Sequence, residues 1–97
     1  MSLEQITQNL STRVASGSGL DATVKFDFGA DGIVFVDGKN NTVSNEDAEA
    51  DCTITITMAN FLALASGDLD PTTAFMMGKL KVKGNMGIAM KLQSLIG

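Results

Sequence analysis

The chain has 97 residues and a net charge of −4, with seven Lys or Arg against eleven Asp or Glu, no His, Trp or Tyr, and one Cys. That length predicts a single domain over residues 1–97 with a modest core, and a hydrophobic share of 44% argues against disorder. The acidic total disfavours nucleic-acid binding, which needs clustered bases to displace counterions.

The chain opens as a predicted helix. Ser2 and Gln5 have the spacing of a capping box, Leu3, Ile6, Leu10 and Val14 recur at helical intervals, and "SGSG" at residues 16–19 stops the element. Strands follow. In "TVKFDF", Val24, Phe26 and Phe28 alternate with Thr23, Lys25 and Asp27, which gives one buried and one wet face. "GADG" at residues 29–32 reads as a hairpin loop, and "IVFVD" at 33–37, apolar on both faces, as a central strand. A weak strand near residues 42–44 leads through an acidic loop into "CTITITM", where Cys52, Ile54, Ile56 and Met58 face inward.

The period then changes. A helix starts at Thr57 or Met58 with Met58, Phe61, Leu62 and Ala65 as its stripe, and Gly67 closes it. A shorter helix has Asp70 as N-cap, Pro71 in the first turn and Gly78 just past its end. "KLKVKG" is a last strand, Leu80 and Val82 inward and Lys79, Lys81 and Lys83 outward. Asn85 then caps a final helix over residues 86–96. Strands and helices in blocks give an α+β fold with a largely antiparallel sheet and helices on one face.

The final helix carries more apolar surface than one contact uses. Met86, Ile88, Ala89, Met90, Leu92, Leu95 and Ile96 span an arc of about 220° at helical spacing, against the ~100° of a core-facing stripe. Gln93 lies inside that arc and needs a partner. Two readings stand. The helix is wedged between sheet and neighbours or in a dimer, or it is a lid over an apolar cavity, which the adaptable side chains of Met76, Met77, Met86 and Met90 suit.

The stretch "LDPTTAFMMGKLKVKGNMGIAMKLQSLI" resembles the C-terminal signature of the sterol carrier protein 2 family. The resemblance covers nearly the last third of the chain closely and the rest by order of elements. It implies a five-stranded sheet with helices on one face and a hydrophobic tunnel that takes fatty acids, fatty acyl-CoA, phospholipids or sterols. The family's tunnel positions carry over to Phe75, Met76, Met77, Met86, Ile88, Met90, Leu92 and Gln93; the pattern of their own helix adds Phe61 and Leu64. Members often have Trp in the second strand, where Phe35 stands here, and the final "LIG" is not the peroxisomal tripeptide.

The expectation is a non-catalytic lipid carrier with no cofactor and no metal, a small-molecule lipid as ligand, transient membrane contact, no nucleic-acid partner and a monomeric state. The alternative is an oligomerisation or docking module using the apolar C-terminal surface. Catalysis has little to draw on: Cys52 sits on a buried strand face without a base, and "DFGADG" lacks the ligands of a calcium loop. "GSGLDA" follows a helix and precedes a strand, the reverse of a dinucleotide fingerprint. Lys79, Lys81 and Lys83 guard a sheet edge or steer anionic head groups. The N-terminus has no basic start or apolar run of a signal peptide, and no stretch approaches a membrane span, so the expected location is cytoplasmic.

Overall fold

The structure, a computed structural model, describes residues 2–15 and 21–91. Helix α1 (Leu3–Ala15) begins at a reciprocal cap: the Gln5 amide N–H donates to Ser2 Oγ at 3.2 Å and the Ser2 N–H to Gln5 Oε1 at 3.0 Å. Its buried stripe is Ile6, Leu10 and Val14. Strands β1 (Thr23–Asp27), β2 (Ile33–Asp37) and β3 (Thr42–Ser44) form an antiparallel meander. The β1–β2 hairpin loop contains a short 3₁₀ turn at Gly29–Asp31.

Strand β4 (Cys52–Ile56) then lies beside β1 in parallel, Val24 opposite Cys52 and Phe26 opposite Ile54. Helices α2 (Met58–Ser66) and α3 (Pro71–Met76) precede β5 (Leu80–Gly84), antiparallel to β4, and α4 is described over Met86–Lys91. The sheet order is β3-β2-β1-β4-β5, a mixed and mostly antiparallel sheet in an α+β fold. β2 is thus interior, but the middle strand is β1, whose outer side carries Lys25. Phe35 and Ile33, on the outer side of β2, are half-buried.

Alternation decides the core. Val24, Phe26, Val34, Val36, Cys52, Ile54 and Ile56 meet the helices on one sheet face, and the buried apolar residues make one contiguous cluster. α1 packs on β2 and β3, and the Asn45 amide N–H₂ ties it there by donating to Thr7 Oγ1 at 3.0 Å and to the Ile33 carbonyl at 2.9 Å. α3 packs on β5, and α4 on β4 and β5. The parallel seam is latched at its start: the Asp51 N–H donates to Thr23 Oγ1 (2.9 Å), and the Thr23 N–H donates to the Asp51 carboxylate (3.1 Å).

The helix ends follow their capping chemistry. Thr57 Oγ1 accepts from the Asn60 N–H at 3.2 Å, and Asp70 accepts from the Thr73 N–H at 3.2 Å with Pro71 at the first turn. Asn85 Oδ1 accepts from the Gly87 N–H at 2.8 Å at the start of α4. In α2 the inward residues are Phe61 and Leu64; Met58 and Leu62 are half-buried, and Ala65 faces solvent. At Gly84 φ is +108°, and a Cβ there would strike the Asp51 carbonyl oxygen, so the bend from β5 into α4 requires glycine.

Candidate functional site

Three phenylalanines build the floor of the site. Phe61 stands edge-on to Phe26, with ring centroids 5.4 Å apart and planes at 73°, and edge-on to Phe28 at 5.3 Å and 78°. The ring of α2 is therefore held from beneath by two rings of β1 and its continuation, and is only 4% exposed.

Above Phe61, helices α1 and α2 do not close on each other. α1 presents Ile6 and Leu10; α2 presents Leu62 but also Ala59, Ala63 and Ala65, whose single methyls reach a short way into the gap. The result is an apolar groove of about 650 Å³, within the ordinary size range of small-molecule sites. Four exposed polar residues also line it: Asn9, Arg13, Ser66 and Asp68. The Ser66 hydroxyl is shared between the Ala63 carbonyl at 3.2 Å and an Asp68 carboxylate oxygen at 3.1 Å. The arrangement suits a long apolar body with a polar end at the rim, since the few polar residues fix orientation and the walls supply burial.

Of the ten residues expected at the site, the eight that are described do not share one lining. Phe61 lines the groove; Leu64 and Ile88 are buried in the core cluster. Phe75, Met76 and Met77, at the end of α3, are exposed, as are Met86 and Met90 on α4. Leu92 and Gln93, with the remainder of the helix expected over residues 86–96, lie outside the described residues. The lining residues of α1 were legible only as a core stripe. The hint of a vacancy was the row of alanines in α2, which becomes a groove only once α1 is placed opposite.

Cys52 is fully buried, and burial pushes its thiol pKa up, which disfavours the reactive thiolate. Among the described residues no group of His, Cys, Asp or Glu is placed to hold a metal ion, no buried side-chain polar atom lacks a partner, and no helix is long and apolar enough to cross a membrane.

The SCP-2 sterol transfer family model matches residues 3–97. Over 58 residues the chain is 55% identical to Sterol carrier protein 2 from Homo sapiens, an alignment covering 60% of this chain and 11% of that protein. The backbone is similar to the crystal structure of Sterol Carrier Protein 2 Like 2 from Aedes aegypti, with a TM-score of 0.82, 26% identity, and coverage of 99% of this chain and 97% of that one. It is similar also to the solution structure of the palmitated Like 2 protein from the same organism, with a TM-score of 0.77, 26% identity, and coverage of 99% and 95%.

Proposed function

We propose a function from one premise: the chain belongs to the SCP-2 sterol transfer family. It is a non-catalytic carrier that takes up the alkyl body of a fatty acid, fatty acyl-CoA, phospholipid or sterol and releases it elsewhere. The observation that carries this reading is the groove over Phe61, lined mainly by apolar side chains, with its four polar residues all exposed. The palmitate on the Aedes aegypti relative supports the same ligand class.

The energetics are sufficient. Burying a chain of about sixteen carbons at ~0.8 kcal/mol per methylene gains on the order of 10 kcal/mol. Lost translational freedom and ordering remove several of these, which leaves a Kd of roughly micromolar or below. Most of that energy comes from the alkyl body, so a broad range of head groups is expected.

Within this reading Phe61 is the floor, Leu64 and Ile88 are the wall behind it, and Phe75, Met76, Met77, Met86 and Met90 are the apolar contacts a lipid meets on entering or leaving. The C-terminal segment from Met86 onward, with Leu92 and Gln93 as the resemblance implies, acts as the roof. The experiment is native mass spectrometry of the purified protein with displacement of a fluorescent fatty acid by palmitate. One acyl chain per protein is expected, whereas no retained lipid and no displacement would refute the carrier. For the roof, deleting residues 85–97 should abolish uptake; unchanged affinity in a folded truncation removes that role.

A further inference from the structure

Charge is divided sharply along the chain. Residues 1–70 hold eleven acids and three bases, whereas residues 71–97 hold four lysines and no acid. The same C-terminal stretch contains every exposed large hydrophobic residue among those described: Met76 is 81% exposed, Met90 69%, Met77 62%, Met86 47% and Phe75 46%. These residues sit on α3 and α4, the two helices that flank β5, and β5 is the edge of the sheet.

The lysines complete the picture from the other side of that edge. Leu80 and Val82 turn toward the helices, so Lys81 and Lys83 stand on the outer sheet face, opposite the neutral Thr55 and Thr53 of β4. Lys79 precedes them at the head of the strand and is exposed. None of the three is in an ion pair among the described residues. Asp27 shares a recess with Lys79 and Lys81 and forms no ion pair with either. A surface approaching the β5 edge therefore meets flexible thioethers from one side and ammonium groups outside any ion pair from the other. The solvent side of α1, with Glu4, Gln5, Gln8 and Asn9, offers nothing similar.

We infer that the β5 edge with α3 and α4 is a docking surface for an anionic lipid bilayer. Apolar side chains entering the acyl boundary and lysines at head-group level are the two components of interfacial binding. A second copy of the chain fits the surface poorly. A two-fold contact across this edge would set Lys79, Lys81 and Lys83 against their own counterparts, and outward lysines on an edge strand oppose strand pairing. The proposal goes beyond carriage, because adhesion to a bilayer is measured whether or not the groove is filled.

The test is co-sedimentation of the full chain with vesicles of phosphatidylcholine alone and of phosphatidylcholine with a minority of phosphatidylserine, at low and physiological salt. Binding is expected to the anionic vesicles, falling with salt as exposed charges are screened. Near such a surface each lysine contributes about fivefold, so K79Q/K81Q/K83Q should weaken binding on the order of a hundredfold. M76S/M77S should weaken it as well, while K39Q should leave it unchanged. Equal binding to both vesicle types, or no effect of the triple variant with native circular dichroism, would overturn the inference. So would a dimer in sedimentation that M76S/M77S dissolves, which would assign the surface to a second copy. Displacement of a fluorescent fatty acid, run without vesicles on K79Q/K81Q/K83Q, reports on the groove separately and should not change.

Discussion

Filling the groove is the most direct test of what it holds. Ala63 borders the opening beside Ala59 and Phe61, on the part of α2 that faces Ile6 and Leu10. In Ala63→Phe a phenyl ring occupies that space. The ring excludes about four methylenes of a bound alkyl chain, and each one returned to water forfeits ~0.8 kcal/mol, or ~3 kcal/mol together. Affinity for palmitate should fall on the order of a hundredfold. The helix itself loses only a fraction of a kcal/mol in exchanging Ala for Phe, so the variant should keep its circular dichroism spectrum and unfold cooperatively. Ala30→Phe, the same enlargement on the exposed turn between β1 and β2, is the control and should bind as the parent does. A folded Ala63→Phe protein that displaces the fluorescent fatty acid with unchanged affinity would show that the α1–α2 groove is not where the lipid lies.

Three further predictions concern the frame around the groove. Phe61→Ala removes a buried ring that meets Phe26 and Phe28 edge-on and should cost ~3–5 kcal/mol of stability in urea titration; a loss below ~1 kcal/mol would mean that the three rings do not brace one another. The Asp51 carboxyl is held below its ordinary pKa, first by the Thr23 backbone N–H and then by the Thr23 hydroxyl. A depressed carboxylate contributes stability above the ordinary range and loses it as pH falls through the lowered value. Asp51→Asn should therefore flatten the acid limb of the urea midpoint against pH; an unaltered limb would count against the latch. Cys52, buried with its thiol pKa pushed up, should react with a disulfide reagent at least about a hundredfold more slowly in the native protein than in denaturant, and comparable rates would place it at the surface.

What sequence makes legible here is what is local. The Ser2–Gln5 cap, the Asp70-Pro71 start of α3 and the Thr57 cap of α2 depend on atoms within four residues of one another, so the residue types carry the geometry. Strand alternation worked for the same reason, and Cys52, Ile54 and Ile56 are inward as expected. Strand order was less accessible. The apolar "IVFVD" reads as central, but β1 takes the middle although Lys25 marks its outer face; Lys25 reaches Asp47 at 2.9 Å from there. In α2 the stripe includes Leu64 and not Ala65, because the direction of the helix over Phe26 and Phe28, rather than spacing alone, selects the buried side. The groove was hardest to foresee. An unfilled space is a relation between Ala59 and Ala63 on one helix and Ile6 and Leu10 on another, about fifty residues apart in sequence.

The parallel pairing of β1 with β4 has a consequence for how the chain assembles. On one side of that seam, the β1–β2–β3 meander joins strands that follow one another closely in sequence; on the other, α2 and α3 intervene between β4 and β5. The pairing of Val24 with Cys52 and its followers must wait for the intervening segment to be gathered in, as must that of β4 with β5, closures that local contacts do not repay in advance. The two pairings made by β4 should share one late kinetic phase, after the β1–β2–β3 meander. Pulse-labelled amide exchange would find the β1–β2 amides protected before those bridging β1 and β4, and Thr23 and Asp51, at the head of the seam, would be where that pairing starts.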